Sequence, residues 1–105
     1  QMQHLNEISA KEIATGILGK YIHGASTTLG YVLIKAGSVL PLHHHVHEQI
    51  TFIIDGELEM MVGTETCLLT AGSSQVIATG IPHSAVAKTD CIVIDVFAPS
   101  RDDYR

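Results

Sequence analysis

The chain has 105 residues, 46% apolar and 16% charged, enough to close one core and too hydrophobic for a disordered segment. Six basic against eleven acidic residues give a formal charge of −5, which argues against a nucleic-acid surface. No run reaches the ~18–20 consecutive apolar residues that a membrane-spanning helix needs.

Near the start, Ile8-Ser9-Ala10-Lys11-Glu12-Ile13 reads as a short N-terminal helical turn. Ser9 is placed to cap it, Glu12 to close a capping box, and Ile8 to staple onto Ile13. Gly16 ends it within a turn. From there the pattern is β-rich runs: Ile17–His23, Thr28–Lys35, Val39–His44, Gln49–Asp55, Leu58–Val62, Thr66–Leu69, Gln75–Ala78, Ser84–Ala87 and Cys91–Phe97. Turn signals separate them, among them Asp55-Gly56, a strong hairpin signal between apolar runs. Nine short strands with no helical stripe after Gly16 predict an all-β sandwich or barrel. A single domain over 1–105 with its barrel core at about 17–98 is expected.

Two strands carry apolar residues on the face opposite their polar groups. Gln49, Thr51, Ile53 and Asp55 oppose Ile50, Phe52 and Ile54; Cys91, Val93, Asp95 and Phe97 oppose Ile92, Ile94 and Val96. A closed barrel has one inside, so the second face needs a cover, from another sheet or from the partner of a homodimer. Cys67 and Cys91, isolated in apolar runs, suit reduced thiols in a cytoplasmic protein.

Histidine is the count that stands out: seven in all, four of them within Leu42–Glu48. Alternation along a strand puts His43 and His45 on one face, about 7 Å apart in Cα, close enough for both imidazoles to reach one ion. A turn at Val46-His47 brings Gln49 in from the next strand, and Gly80-Ile81-Pro82 presents His83 after a second turn. A solvated histidine loop would not call for that downstream partner, and a run between two apolar strands is no tag remnant. His44 and His47 are expected beside the ion's ligands or facing solvent; His4 and His23 carry no signal.

This arrangement resembles the cupin superfamily, specifically its small single-domain members. The first cupin motif is matched by Gly37, His43, His45, Gln49 and Gly56 with every gap respected, and Gln49 stands where Glu is usual. The second is matched by Gly72, Gly80 and His83, with Ala78 and Ala87 replacing its proline and asparagine. The resemblance implies a cupin-type double-stranded β-helix, a jelly-roll barrel of two antiparallel sheets. It also implies a divalent metal in the lumen on His43, His45, Gln49 and His83. Three imidazoles and an amide leave the ion its full charge, which favours Lewis-acid work over redox chemistry. Zinc, nickel, iron or manganese all suit the donor set.

The tail is the other unusual feature. Asp95 interrupts an apolar strand, where an unpaired carboxylate is costly, and Arg101 follows a proline turn. A plain Asp95–Arg101 ion pair pinning the C-terminus is one reading. The other comes from Asp95-x-Phe97-x-Pro99-x-Arg101, which resembles the pectin-degradation cupins that linearise unsaturated uronates. There the Asp, Phe and Arg line the active site, so Asp95, Phe97 and Arg101 become catalytic candidates and a carboxylate-bearing small molecule the expected substrate. A cupin dioxygenase and a non-catalytic small-molecule-binding module are the alternatives.

Overall fold

The computed structural model describes residues 2–105. Ten strands run in the order β1 (Lys11–Ala14), β2 (Ile17–His23), β3 (Thr28–Ile34), β4 (Val39–His43), β5 (Glu48–Asp55), β6 (Leu58–Val62), β7 (Glu65–Leu69), β8 (Ser74–Ile77), β9 (His83–Ala87) and β10 (Cys91–Ala98). They build a six-stranded antiparallel sheet, β1-β2-β3-β10-β5-β8, and a four-stranded one, β4-β9-β6-β7. This is the jelly roll expected from the sequence. Each of the nine predicted strands is present to within one residue at either end.

Two local expectations are corrected. The helical turn forms upstream, as a 3-10 turn at Leu5–Glu7 capped by His4, whose side chain accepts from Asn6 while Glu7 returns a bond to the His4 backbone. Lys11–Ala14, read as part of a helix, is instead β1, paired with β2 around Thr15-Gly16. A single helical turn satisfies few backbone groups, whereas a strand edge offers a ladder. The second correction concerns Asp55-Gly56, which makes no hairpin. β5 pairs with β10 and β8, and β6 with β7 and β9, so this turn carries the chain from one sheet to the other. Gly56 has φ 96°, and a Cβ there would lie 2.2 Å from the Asp90 carbonyl oxygen. Close approach of the Asp90 segment demands the glycine.

The core lies between the sheets. Ile17, Val32, Ile53, Leu58, Met60, Ile77 and Val93 interdigitate there, and full burial of a side chain such as Ile53 contributes about 1.5–3 kcal/mol. The same period of two sends Leu18, Leu29, Leu33, Ile50, Phe52 and Ile54 to the outer face of the larger sheet. Cross-strand register aligns them in rows: Leu18–Leu33–Ile92, and Ile22–Leu29–Val96–Ile50. The second apolar face is therefore continuous over four strands, and no segment among the described residues covers it.

Candidate functional site

His43 closes β4 and His83 opens β9, and the two are direct cross-strand partners. His45 lies just beyond β4, ahead of the bend at Val46-His47. Ring centroids are 4.1 Å apart for His43–His83, 4.9 Å for His45–His83 and 5.6 Å for His43–His45. One ring nitrogen from each lies within 4.8 Å of the others, close to the ~4.2 Å that two nitrogens on opposite sides of one ion span.

Backbone carbonyls set the tautomers. His43 Nδ1 pairs with the Pro41 oxygen at 2.8 Å, His45 Nδ1 with His47 at 2.9 Å, and His83 Nδ1 with Ile81 at 2.9 Å. A carbonyl only accepts, so each Nδ1 carries a proton, and in the neutral ring each Nε2 keeps a lone pair. Among the described residues, buried His83 Nε2 has no hydrogen-bond partner. Burial lowers the His83 imidazole to about 4 and pushes His45 down as well, which favours the neutral rings that metal ligation requires.

Gln49 comes from the other sheet. Its Oε1 lies 3.0 Å from His45 Nε2, and its Nε2 donates to Thr51 Oγ1 at 2.9 Å and Asp95 Oδ1 at 3.2 Å. With the His45 proton on Nδ1, an oxygen lone pair faces a nitrogen lone pair, a contact that a cation between them would turn from repulsive to favourable. Orphaned His83 Nε2, three outward lone pairs and this facing pair of acceptors all fit a divalent ion.

Asp95 lies beside this cluster. β5 and β10 set Thr51 opposite Asp95 and Gln49 opposite Phe97, two adjacent rungs facing the lumen. Thr51 donates its hydroxyl to Asp95 Oδ1 at 2.7 Å. Both hydrogen bonds fall on Oδ1; among the described residues Oδ2 receives none. Removal from bulk water pushes the Asp95 carboxyl above its ordinary range, against the pull of Thr51, Gln49 and the Arg101 charge.

Arg101 is also brought to the lumen, though not as an ion-pair partner of Asp95. Its Nε and Nη2 donate to Asp103 at 3.0 and 2.8 Å, and its guanidinium lies 4.0 Å from the Tyr104 ring centroid and 4.8 Å from that of Phe97. The plain Asp95–Arg101 pair considered from the sequence is replaced by an Arg101–Asp103 pair. Tyr104 packs at a tilt against Tyr21, ring centroids 4.6 Å apart, and the Tyr21 ring lies where a Cβ on Gly19 or Gly30 would collide with it.

The cavity between the sheets is lined by His43, Gln49, Thr51, Asp95, Phe97, Arg101, Tyr21 and Tyr104 at its polar part, and by core residues below. Tyr21, Thr51, Asp103 and Tyr104 were missed from the sequence. Inward parity with Gln49 was a signal available for Thr51; the others had none. His44 is exposed, and His47 is half-buried with its carbonyl supporting His45. His23, silent in the sequence, bonds Thr28 Oγ1 and the Tyr104 carbonyl.

Residues 30–97 match the Cupin domain family. A pectin degradation protein, KdgF, of Dickeya dadantii is 28% identical over 102 residues, 94% of this chain and 93% of that protein. An RmlC-like cupin from Shewanella frigidimarina superposes with a TM-score of 0.92 at 25% identity, covering 98% of this chain and 94% of the other. KdgF from Halomonas sp. gives 0.88 at 31% identity, with 95% and 94% covered. The chain belongs to the cupin family, with a three-histidine site of the kind that binds a metal.

Proposed function

We propose that the protein is a metal-dependent cupin enzyme that converts a 4,5-unsaturated uronate to the linear 5-keto-4-deoxyuronate. One observation carries the reading: Gln49 joins the histidine cluster to Asp95, its oxygen facing His45 and its nitrogen bound to Asp95. The pectin-degradation role in the Dickeya relative's name supports the same substrate class.

A divalent metal held by His43, His45, His83 and Gln49 would supply Lewis acidity towards a substrate oxygen; zinc, nickel, iron and manganese are the candidates. The rest falls to side chains. Asp95 Oδ2, which accepts no hydrogen bond among the described residues, takes the proton of the anomeric hydroxyl. The anomeric C–O becomes an aldehyde carbonyl as the bond from C1 to the ring oxygen breaks. The electron pair passes to the ring oxygen as an enolate, and Asp95 returns the proton to C4, giving the 5-ketone. Atoms balance and nothing is oxidised. A carboxyl held above its usual range serves both directions of that transfer. Arg101 binds the substrate carboxylate and Phe97 shapes the pocket around the sugar ring.

Proton NMR of the product tests the reaction: the vinyl H4 signal should give way to a C4 methylene faster than in protein-free buffer. A rate equal to the buffer rate overturns the reading. We further propose a homodimer in a reducing, cytoplasmic setting, from the uncovered sheet face and the two free thiols.

A further inference from the structure

Arg101 is 8% exposed, unusually low for a guanidinium. Its backbone N–H donates to Thr28 Oγ1 at 2.8 Å, and its Cζ lies over the Phe97 and Tyr104 rings. None of those contacts is a hydrogen bond to a guanidinium N–H. A guanidinium offers carboxylates two edges, the side edge Nε–Nη2 and the end edge Nη1–Nη2. Asp103 occupies the side edge, with Oδ1 on Nε and Oδ2 on Nη2. A ligand carboxylate therefore has only the end edge.

We propose that Asp103 is a positioning residue: by holding the side edge it fixes the guanidinium so that the end edge serves the lumen. The substrate class rests on the reading above; the positioning does not. Asp103 itself stands off the lumen, with its side chain 57% exposed. It is fixed two residues beyond Arg101 by the turn in which Tyr104 N–H donates to the Arg101 carbonyl at 2.9 Å. The contrary role, an internal carboxylate that competes with the ligand, predicts effects of opposite sign.

The test compares wild type with Asp103→Asn and Asp103→Glu. Asparagine cannot accept on both nitrogens, while glutamate keeps the charge and can reach the same edge. For an unsaturated uronate, Asp103→Asn should raise KM about tenfold or more, the worth of a charge-assisted hydrogen bond. Its kcat should change less than about threefold, and Asp103→Glu should recover much of the loss. Acetate, titrated against the Arg101 side-chain N–H resonances, is the probe that does not depend on uronate chemistry, and its binding should weaken in Asp103→Asn. If wild type ignores the uronate but acetate binding weakens as stated, the proposed function fails and the positioning role stands. Unchanged or lower KM and unchanged or tighter acetate binding in Asp103→Asn would overturn the positioning role.

Discussion

Gln49 and Asp95 share a hydrogen bond across β5 and β10, Gln49 Nε2 donating to Asp95 Oδ1 at 3.2 Å. The amide has one donor end and one acceptor end: its oxygen faces His45 and its nitrogen donates to the carboxylate. The usual cupin glutamate could satisfy the first partner but would set a carboxylate against Asp95. Gln49→Glu is thus expected to keep the metal by elemental analysis while lowering uronate turnover by about 10² or more, since the proton-transferring group is displaced or its protonation altered. Turnover within a few-fold of wild type would show that the amide nitrogen is idle.

The histidine assignment predicts a clean division between the proposed ligands His43 and His83 and their exposed neighbour His44. His43→Ala combined with His83→Ala should lose the bound ion while circular dichroism keeps its β signature. His44→Ala, at an exposed position, should retain it. Removal of the ion from wild type by chelation should lower the melting temperature, because a ligand that binds only the folded state stabilises it. Stoichiometric metal in the double variant would refute the ligand set.

Most of the fold is legible in the sequence because it is written locally. Alternation marks the strands, and glycine-bearing turns punctuate them. His43, His45 and Gln49 lie within seven positions of one another, and a second turn announces His83. What was illegible depends on pairing between distant segments. Thr51 reaches Asp95 across 44 positions only because β5 and β10 are neighbours. Tyr21 matters because its ring lies over Gly19 and Gly30 with Tyr104 against it. The Asp55-Gly56 turn has hairpin chemistry, yet the long-range partners of β5 and β6 decide its course. Asp103 was hidden differently: beside Asp102 in an exposed turn, it reads as solvated charge.

The outer face of the larger sheet predicts association. Phe52, 41% exposed, pairs with Ile94 in the middle of that face. Light scattering should give the mass of a dimer at micromolar concentration, and Ile94→Glu, which sets a charge among apolar neighbours, should give a monomer that still binds metal. A wild-type monomer would contradict the proposal.

Hydrogen bonds from Arg101 hold the Asp103 carboxyl below its ordinary range. A depressed folded-state value means the pair contributes stability above the unfolded value, ~3.9, and that contribution is lost as pH falls through the folded value. Asp103→Asn should therefore melt below wild type at pH 7, and the two curves should converge in strong acid. With Asp103 largely exposed, the difference at pH 7 should be about 1 kcal/mol or less. A gap that persists unchanged in strong acid would place its origin elsewhere.

The proton-transfer role of Asp95 is tested most directly by the conjugated-enol absorbance of an unsaturated uronate, followed with metal-loaded wild type and Asp95→Asn and corrected for spontaneous decay. Wild type should accelerate the loss with at least one of zinc, nickel, iron or manganese. Asp95→Asn, folded and still binding metal, should be slower by ~10²–10⁴, the usual worth of general acid–base catalysis. No acceleration by wild type with any of the four metals, or a variant as fast as wild type, would contradict it.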